Sequence, residues 1–210
     1  PHIYTDQEIG SLLDAMLAVR SAKGLHRWTY YCIFGLLAAT GLRIGEALRL
    51  KRDDAYLEAG LLTIRDTKFG KSRLVPIHST TVVVLTDYAK RRDALFATPI
   101  SPTFFVGEQG RALNHSAVHL IFRTVARQMG LRRAGDAYRG PRIHDLRHSY
   151  AVATLLRWYR AGDDVDQRLP VLSTYLGHSH TSSTYWYLSA CPELMEHAAR
   201  RLDARWEQAS

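Results

Sequence analysis

Residues 61–77 read Leu-Leu-Thr-Ile-Arg-Asp-Thr-Lys-Phe-Gly-Lys-Ser-Arg-Leu-Val-Pro-Ile and interrupt a sequence whose pattern is otherwise helical. Apolar and β-branched residues in Leu61–Arg65 and Arg73–Ile77 predict two strands, and the loop containing Phe69-Gly70 predicts the turn between them. The predicted β-hairpin has a basic tip formed by Arg65, Lys68, Lys71 and Arg73. One small antiparallel sheet among helices places the fold in the mainly α, α+β class.

Helical periodicity accounts for most of the remaining chain. The first helix, from Asp6 to Arg20, begins at the capping box Thr5-Asp6-Gln7-Glu8. A later helix is expected to start at Leu169 and to carry Pro170 in its first turn, where a missing N–H costs nothing. The stretch before it, Ala161–Arg168, is expected to be a connection. The predicted helices span residues 6–20, 26–39, 43–50, 80–95, 116–129, 143–160, 169–176, 182–188 and 193–206.

Composition limits the class of protein. With 210 residues, 46% of them hydrophobic, the chain can bury one core, so we expect a single domain over residues 1–210. The excess of 28 Lys and Arg over 20 Asp and Glu favours a polyanionic partner. Cys32 and Cys191 have no metal-binding or disulfide-framework spacing. Because no apolar stretch is long enough to span a bilayer and no signal segment is present, we expect a cytosolic protein and no membrane partner.

Several residues could carry phosphodiester chemistry. Cleavage without a metal requires a nucleophile, cationic groups for the crowded charge of the transition state, and an acid for the leaving oxygen. Arg43 follows the helix break at Gly41 and can present its guanidinium to a phosphate with fork geometry. The alternative interpretation is a surface arginine that pairs with Glu46.

The motif His144-Asp145-Leu146-Arg147-His148 offers a second set of candidates. His144 and Arg147 are three residues apart, so they share one helix face that could grip one phosphate. His144 and His148 also have the spacing of helical zinc ligands. Asp145 stands where the metalloprotease pattern requires Glu, and no third ligand is evident, so we expect no metal site.

Two tyrosines compete for the role of nucleophile near the C-terminus. Tyr185 and Tyr187 follow His178, which comes directly after a glycine that ends a helix. Residues two apart on a helix point about 200° apart, so only one of the two tyrosines can face a given pocket. Residue pattern alone leaves this choice open, and it also allows Lys68 to be an ordinary solvated lysine.

In order along the chain, these segments resemble the tyrosine recombinase (phage integrase) family from Thr5 to about Leu202. The matching residues are Thr40-Gly41-Leu42-Arg43 with Glu46, Lys68 in a hairpin leading into Arg73-Leu74-Val75-Pro76, His144-Asp145-Leu146-Arg147, Leu176-Gly177-His178, and Tyr187. The family's spacing between the last histidine and the nucleophile selects Tyr187 over Tyr185. The resemblance therefore implies the catalytic-domain fold of that family.

The resemblance also implies roles for these residues in strand cleavage and rejoining. Tyr187 would form a 3′-phosphotyrosyl intermediate, which retains the bond energy, so neither ATP nor a metal cofactor would be needed. Arg43, Arg147 and His178 would hold the scissile phosphate. His144 would assist proton transfer, Lys68 would act as general acid, and Glu46 would support the site.

Double-stranded DNA is the partner that the resemblance implies. Candidate DNA contacts are Arg65, Lys71, Arg73, Arg123 and Arg142. Arg142 and His148 could each contact phosphate or simply lie on the surface. A DNA partner would make the protein nucleoid-associated. The predicted helix Glu193–Trp206 carries an apolar stripe that either packs on its own domain or docks on a neighbouring copy in a homotetramer. Family members also place a DNA-clamping domain before the catalytic one, and we expect this chain to lack it and so to bind DNA with little specificity.

Two rival functions remain at this level. A type IB topoisomerase would use similar Arg, Lys, His and Tyr chemistry to relax supercoils, and a non-catalytic DNA-binding module would retain the basic surface alone. The motif text favours a site-specific recombinase or integrase, and among its possible hosts a mobile genetic element. The target site and the direction of recombination are not encoded in any motif of the sequence.

Overall fold

The structure is a computed structural model that describes residues 1–65, 72–132, 140–178, 184, 187, 193–196 and 199–200. Within these residues, three short strands lie among helices. The helices are α1 (Asp6–Leu17), α2 (Leu25–Thr40), α3 (Ile44–Arg49), α4 (Ser79–Leu95), α5 (His115–Gln128), α6 (Ile143–Arg160) and α7 (Val165–Leu176). The strands are β1 (Ala55–Tyr56), β2 (Leu61–Ile64) and β3 (Arg73–Pro76), and a 3-10 turn spans Arg52–Asp54.

The sheet is antiparallel, with strand order β1-β2-β3. The predicted hairpin is confirmed, and its register pairs Leu61 with Pro76 and Ile64 with Arg73. Strand β1 was not predicted because two residues are too few to show an alternating pattern. The sheet therefore has one strand more than the sequence indicated, and the mainly α, α+β class is confirmed.

Helix α2 forms the centre of the core. It buries residues on nearly all sides, including Ile33, Phe34 and Leu37, and it packs against α1, α4 and α6. The helix ends at Gly41, whose φ of +64° favours glycine, and a Cβ there would lie 2.7 Å from the Tyr150 ring. The chain therefore leaves α2 in close contact with α6 and continues directly into α3.

Helix α7 differs from the prediction. It begins at Val165, so the expected connection Ala161–Arg168 is wrong in its second half, and Pro170 lies inside the helix instead of in its first turn. The Asp164 side chain caps the helix by accepting from the backbone N–H groups of Asp166 and Gln167, and Val165 is fully buried. The cap and the burial of Val165 together offset the cost of the internal proline, which removes one helical hydrogen bond and crowds the carbonyl four residues earlier.

The other predicted boundaries agree closely with the structure. Helix α1 ends at Leu17 instead of Arg20, and each remaining helix or strand up to Leu176 ends within one residue of its prediction. Of the two helices predicted beyond that point, only residues 184, 187, 193–196 and 199–200 are described, and residues 193–196 are helical. In the described part of the chain, no helix combines the length and apolarity needed to span a bilayer.

A second apolar cluster lies beside the main core. It joins α6 to α7 and includes Val152, Leu155 and Leu172 together with Tyr187 and Leu194. Tyr187 is thus packed against the same two helices that carry the predicted histidines and arginine. This packing places the C-terminal tyrosine next to the motif of α6.

Candidate active site

Arg147 is the most deeply placed charge of the site. Its side chain, on α6, is 1% exposed. Nη1 donates to the carbonyl of Gly41 and Nη2 to the carbonyl of Leu176, both at 2.8 Å. Burial lowers the pKa of Arg147 to about 10, and the charge of Arg43 acts in the same direction, while Tyr187 and Glu46 oppose the shift. The guanidinium therefore stays protonated at neutral pH and ties the end of α2 to the end of α7.

Arg43 is held at the start of α3. Its Nη1 lies 3.1 Å from Glu46 Oε1, and Nη1 and Nη2 donate to the carbonyl of Gly177 at 3.3 and 3.4 Å. Its backbone N–H donates to Glu46 Oε2, which completes a capping box. The side chain is 35% exposed, whereas the Glu46 side chain is 2% exposed. Arg43 is therefore paired with Glu46, as the alternative interpretation required, and also keeps an open face.

Arg73 approaches the same carboxylate from β3. Its Nη1 and Nη2 donate to the two oxygens of Glu46 at 3.0 and 2.9 Å, and its Nε donates to the carbonyl of Tyr175 at 2.8 Å. The side chain is only 10% exposed. The structure thus directs the guanidinium of Arg73 inward, onto Glu46 and the end of α7, and the sequence had placed it at a DNA groove.

Helix α7 ends in a Schellman arrangement that places His178. The N–H of Gly177 donates to the carbonyl of Thr174, and the N–H of His178 donates to the carbonyl of Ser173. Gly177 has a φ of +71° and lies so close to Arg73 that a Cβ would be 2.6 Å from its Nη1. Nδ1 of His178 lies 2.8 Å from Oγ1 of Thr184. These bonds fix the imidazole beside the second cluster.

Tyr187 lies between two histidine rings. Its phenol is 2% exposed. The ring stacks on His178 with centroids 5.9 Å apart, and His148 meets it edge-on at 5.4 Å. Tyr187 also lies close enough to Arg147 to oppose the lowering of the arginine's pKa. The structure therefore brings Tyr187 together with Arg147 and His178, as the predicted constellation required, and leaves Tyr185 outside the described residues.

The pKa values of His178 and His148 are strongly lowered. Burial lowers the pKa of His178 to about 4, helped by the charges of Arg147 and Arg43. Burial likewise lowers the pKa of His148 to about 4, with the charge of His144 adding to the effect. Both imidazoles are neutral at neutral pH. His178 thus lies within electrostatic reach of both arginines.

His144 lies at the edge of the site, in the first turn of α6. Its side chain is exposed, and its ring meets His148 edge-on at 4.8 Å. Partial desolvation and the charge of Arg147 lower its pKa. The described residues hold no group of three or more His, Cys, Asp or Glu side chains that could bind a metal, so the zinc interpretation gains no third ligand.

The predicted DNA contacts are placed in different ways. Arg142 is an exposed side chain that holds Asp145 at 2.9 Å, and Arg65 is exposed and holds Asp54 at 2.7 Å. Arg123 is exposed on α5, the helix that packs on α1 and α3. Lys68 and Lys71 lie outside the described residues.

Two functional contacts were missed in the sequence. The inward direction of Arg73 follows from the alternation of β3, because Arg73 and the fully buried Val75 lie on one face of the strand and Leu74 on the other. The basic composition of the loop hid this signal. The contact of His148 with Tyr187 had no signal in spacing, since it depends on how the C-terminal segment folds back on α6.

The fold is that of the catalytic domain of a tyrosine recombinase. The crystal structure of XerA recombinase matches 96% of this chain and 65% of its own with a TM-score of 0.73 and 22% identity. XerH site-specific recombinase, in a post-cleavage complex with palindromic difH substrate, matches 95% of this chain and 52% of its own at 0.69 and 26%. A lambda integrase tetramer bound to a Holliday junction covers 88% of this chain and 47% of its own, with a TM-score of 0.61 and 17% identity, which shows the fold alone.

The chain belongs to the phage integrase family, whose sequence profile matches residues 3–193. The integrase/recombinase y4rB of Sinorhizobium fredii is 50% identical over 211 residues, which cover 99% of this chain and 67% of y4rB. Tyrosine recombinase XerA of Pyrococcus furiosus is 28% identical over 204 residues, 96% of this chain and 62% of XerA. The chain thus spans about two thirds of the length of these relatives.

Proposed function

We propose that this chain cleaves and rejoins DNA strands at specific sites through a 3′-phosphotyrosyl bond to Tyr187. One observation carries the proposal: the phenol of Tyr187 is buried between the rings of His178 and His148, within electrostatic reach of the buried Arg147 guanidinium. A packing tyrosine needs no buried cation. A nucleophilic tyrosine does, because positive charge stabilises the phenolate that attacks phosphorus.

The arginines are suited to hold the scissile phosphate. A guanidinium has five N–H donors. Arg147 donates one N–H from Nη1 to the carbonyl of Gly41 and one from Nη2 to the carbonyl of Leu176, so three donors are left. The remaining donors are available to Tyr187 and to a phosphate beside it. Arg43, with its open face, and His178 complete the proposed phosphate site, and Glu46 orients Arg43. Donors fixed before the substrate arrives stabilise the charge that develops in the transition state.

The proposed reaction is a reversible transfer of the phosphoryl group. The Tyr187 oxygen loses its proton and bonds to phosphorus while the bond from phosphorus to the 5′ oxygen breaks. His144 assists this proton transfer, and Lys68 supplies the proton that the 5′ oxygen takes up. The 5′ hydroxyl of another strand then attacks the phosphotyrosine and releases Tyr187. Each step exchanges one phosphoester for another, so no ATP is consumed.

DNA binding and assembly belong to the same proposal. The net charge of +8 and the exposed side chains of Arg65, Arg123 and Arg142 support binding to duplex DNA, with Lys71 as a further contact. We propose assembly into a tetramer on DNA, as the lambda integrase with the same fold does on a Holliday junction. The C-terminal helix from Glu193 is the proposed exchange element between copies. A mobile element is the proposed source, with the nucleoid as the place of action.

Covalent capture tests the proposal without knowledge of the target site. The full protein is incubated in EDTA with a pool of nicked duplexes of randomised sequence, in which the cleaved fragment diffuses away and traps the intermediate. We expect a protein–DNA adduct that survives a denaturing gel, and sequencing of the captured DNA gives the preferred site. Absence of any adduct from the pool would contradict the proposal.

The captured sequence then separates recombination from simple relaxation. Two duplexes that carry the site are expected to exchange strands and yield recombinant products. Adducts followed only by relaxation of supercoiled DNA, with no exchange, would show topoisomerase-like chemistry. Binding to DNA with neither reaction would show a non-catalytic module.

A further inference from the structure

We propose that Arg73 is a positioning residue that sets the orientation of Arg43 through Glu46, and that it makes no contact with the DNA groove. This inference rests on the proposed strand cleavage, in which Arg43 holds the phosphate. It assigns to β3 a part in the active site in addition to that of the hairpin loop.

The contacts form a closed ring around one carboxylate. Glu46 Oε1 lies 3.0 Å from Nη1 of Arg73 and 3.1 Å from Nη1 of Arg43, and Oε2 accepts from Nη2 of Arg73 and from the backbone N–H of Arg43. Bidentate pairs of this kind fix geometry as well as charge. The backbone of α7 closes the ring, since Tyr175 accepts from Arg73 and Gly177 accepts from Arg43. Arg73 thus fixes the carboxylate that fixes Arg43.

Gly177 supplies independent evidence for a built arrangement. Any Cβ at this position would lie 2.6 Å from Nη1 and 2.9 Å from Cζ of Arg73. The residue just before His178 therefore leaves space for the Arg73 guanidinium. A side chain that reached outward to DNA would not need this space.

Three of the five N–H donors of Arg73 are already used inside the protein. Its Nε and both Nη atoms each donate to an internal acceptor, and the side chain is 10% exposed. By contrast, Arg65 on the same hairpin donates through Nε to Asp54 and is 53% exposed. Arg65 therefore keeps a largely exposed guanidinium at the surface, whereas the Arg73 guanidinium is nearly buried and held by three internal hydrogen bonds.

The pKa of Glu46 tests the proposal, because it should not change if Arg73 only stabilised the fold. Burial alone would raise the pKa of Glu46, but the hydrogen bonds and charges of Arg73 and Arg43 bring it below its usual range. Among the residues that the structure describes, the charged groups that act on this carboxylate are Arg43 at the start of α3, Arg73 from β3 and Arg147 from α6. Removal of Arg73 takes away a charge and hydrogen bonds that lower the pKa of Glu46 while burial still raises it, so this pKa should rise.

The test uses Arg73→Gln and Arg73→Lys in the full protein. Arg92→Gln is a matched control, because Arg92 also makes a bidentate pair with a carboxylate, that of Asp93, and donates to one carbonyl, that of Phe104. Carboxyl carbon-13 NMR follows the titration of Glu46, whose signal is identified by its loss in Glu46→Gln. Covalent capture measures the rate of adduct formation, and anisotropy with a random duplex measures affinity at several salt concentrations.

We expect Arg73→Gln to raise the pKa of Glu46 and to slow adduct formation by about 10²-fold, with unchanged DNA affinity and salt dependence. Arg73→Lys should restore part of both properties, and Arg92→Gln should change neither. In a Glu46→Gln background, Arg73→Gln should slow the reaction little further, because both changes break one linkage. If Arg73→Gln fails to fold, Arg73→Lys carries the same comparison.

Three results would overturn the proposal. The first is an unshifted Glu46 titration together with a salt slope reduced by about one, which marks a phosphate contact. The second is an unchanged rate of adduct formation, and the third is an equal loss in the wild-type and Glu46→Gln backgrounds. Absence of adduct from the wild-type protein would contradict strand cleavage instead, and the Glu46 titration without DNA would still decide whether Arg73 controls this carboxylate.

Discussion

The imidazole of His148 lies edge-on against the phenol of Tyr187, with ring centroids 5.4 Å apart and planes inclined at 62°. His148 is 9% exposed. The ring of His148 also meets the ring of His144 edge-on, with centroids 4.8 Å apart. His148, which follows Arg147 in the sequence, therefore packs directly against the Tyr187 ring. The sequence had left the role of His148 open.

This burial predicts a pH dependence of stability. Burial lowers the pKa of His148 from 6.5 to about 4, so the unfolded chain binds more protons than the folded one between these values. The free energy of unfolding should therefore fall as pH decreases from about 6.5 to about 4. His148→Phe, which keeps a ring against Tyr187, should reduce this slope by about one proton. Urea unfolding across this pH range measures it, and equal slopes for the two proteins would contradict the assignment.

Local pattern predicted most of the fold. The capping box at Thr5, the strand pair of the hairpin and the helix Ile143–Arg160 follow from spacing that tertiary contacts do not override. The start of α7 could not be predicted as well, because a favourable N-cap at Asp164 competed with a proline signal later in the same segment. Burial of Val165 against α6 decided the outcome, and burial is a property of the packed chain.

Gly177→Ala should destabilise the protein more than a glycine replacement in open space. Both the φ of +71° and the approach of Arg73 oppose a Cβ at Gly177. Gly162 follows α6 with a φ of +73°, and a Cβ added there would meet none of the described residues within 4 Å, so Gly162→Ala reports the backbone cost alone. We expect about 1–2 kcal/mol for Gly162→Ala and about 1–3 kcal/mol more for Gly177→Ala. Chemical denaturation measures both, and equal losses would show that Arg73 yields at no cost.

Arg147→Lys should remove activity as well as stability. A lysine cannot donate in fork geometry to the carbonyls of Gly41 and Leu176, and an unsatisfied buried carbonyl costs about 1–3 kcal/mol. The rate of adduct formation should fall about 10²- to 10³-fold. Arg92→Lys, at a buried arginine on α4, is the control that should lose stability alone. Retention of the wild-type rate by Arg147→Lys would rule out a role for its guanidinium in the reaction.

Arg123→Ala tests the proposed DNA face of α5. If Arg123 contacts a phosphate, the slope of log affinity against log salt should decrease by about one, with a similar loss for every sequence. Arg91→Ala removes the same charge from α4, where the guanidinium lies over the Trp28 ring, and it should leave the slope unchanged. Anisotropy titrations with a random duplex give both values. If both variants changed the salt dependence by the same amount, Arg123 would contribute to DNA binding only through the net charge of the protein.

The sequence named residues that the structure brings together, but it did not predict the contacts that hold them there. Arg43, His144, Arg147, His178 and Tyr187 were all named from motifs and their order along the chain. The acceptors that hold Arg147 are backbone carbonyls of distant helix ends, and backbone carbonyls carry no sequence signal. The inward direction of Arg73 was not predicted because the basic composition of the loop was given more weight than the alternation of its strand.

Tyr187 remains the residue on which the account depends most. The wild-type protein, Tyr187→Phe and Tyr185→Phe are each incubated in EDTA with the captured nicked duplex, and any adduct is digested and its modified peptide identified by mass spectrometry. We expect adducts on Tyr187 for the wild-type protein and for Tyr185→Phe, and none for Tyr187→Phe. An adduct that persists in Tyr187→Phe and disappears in Tyr185→Phe would contradict the account.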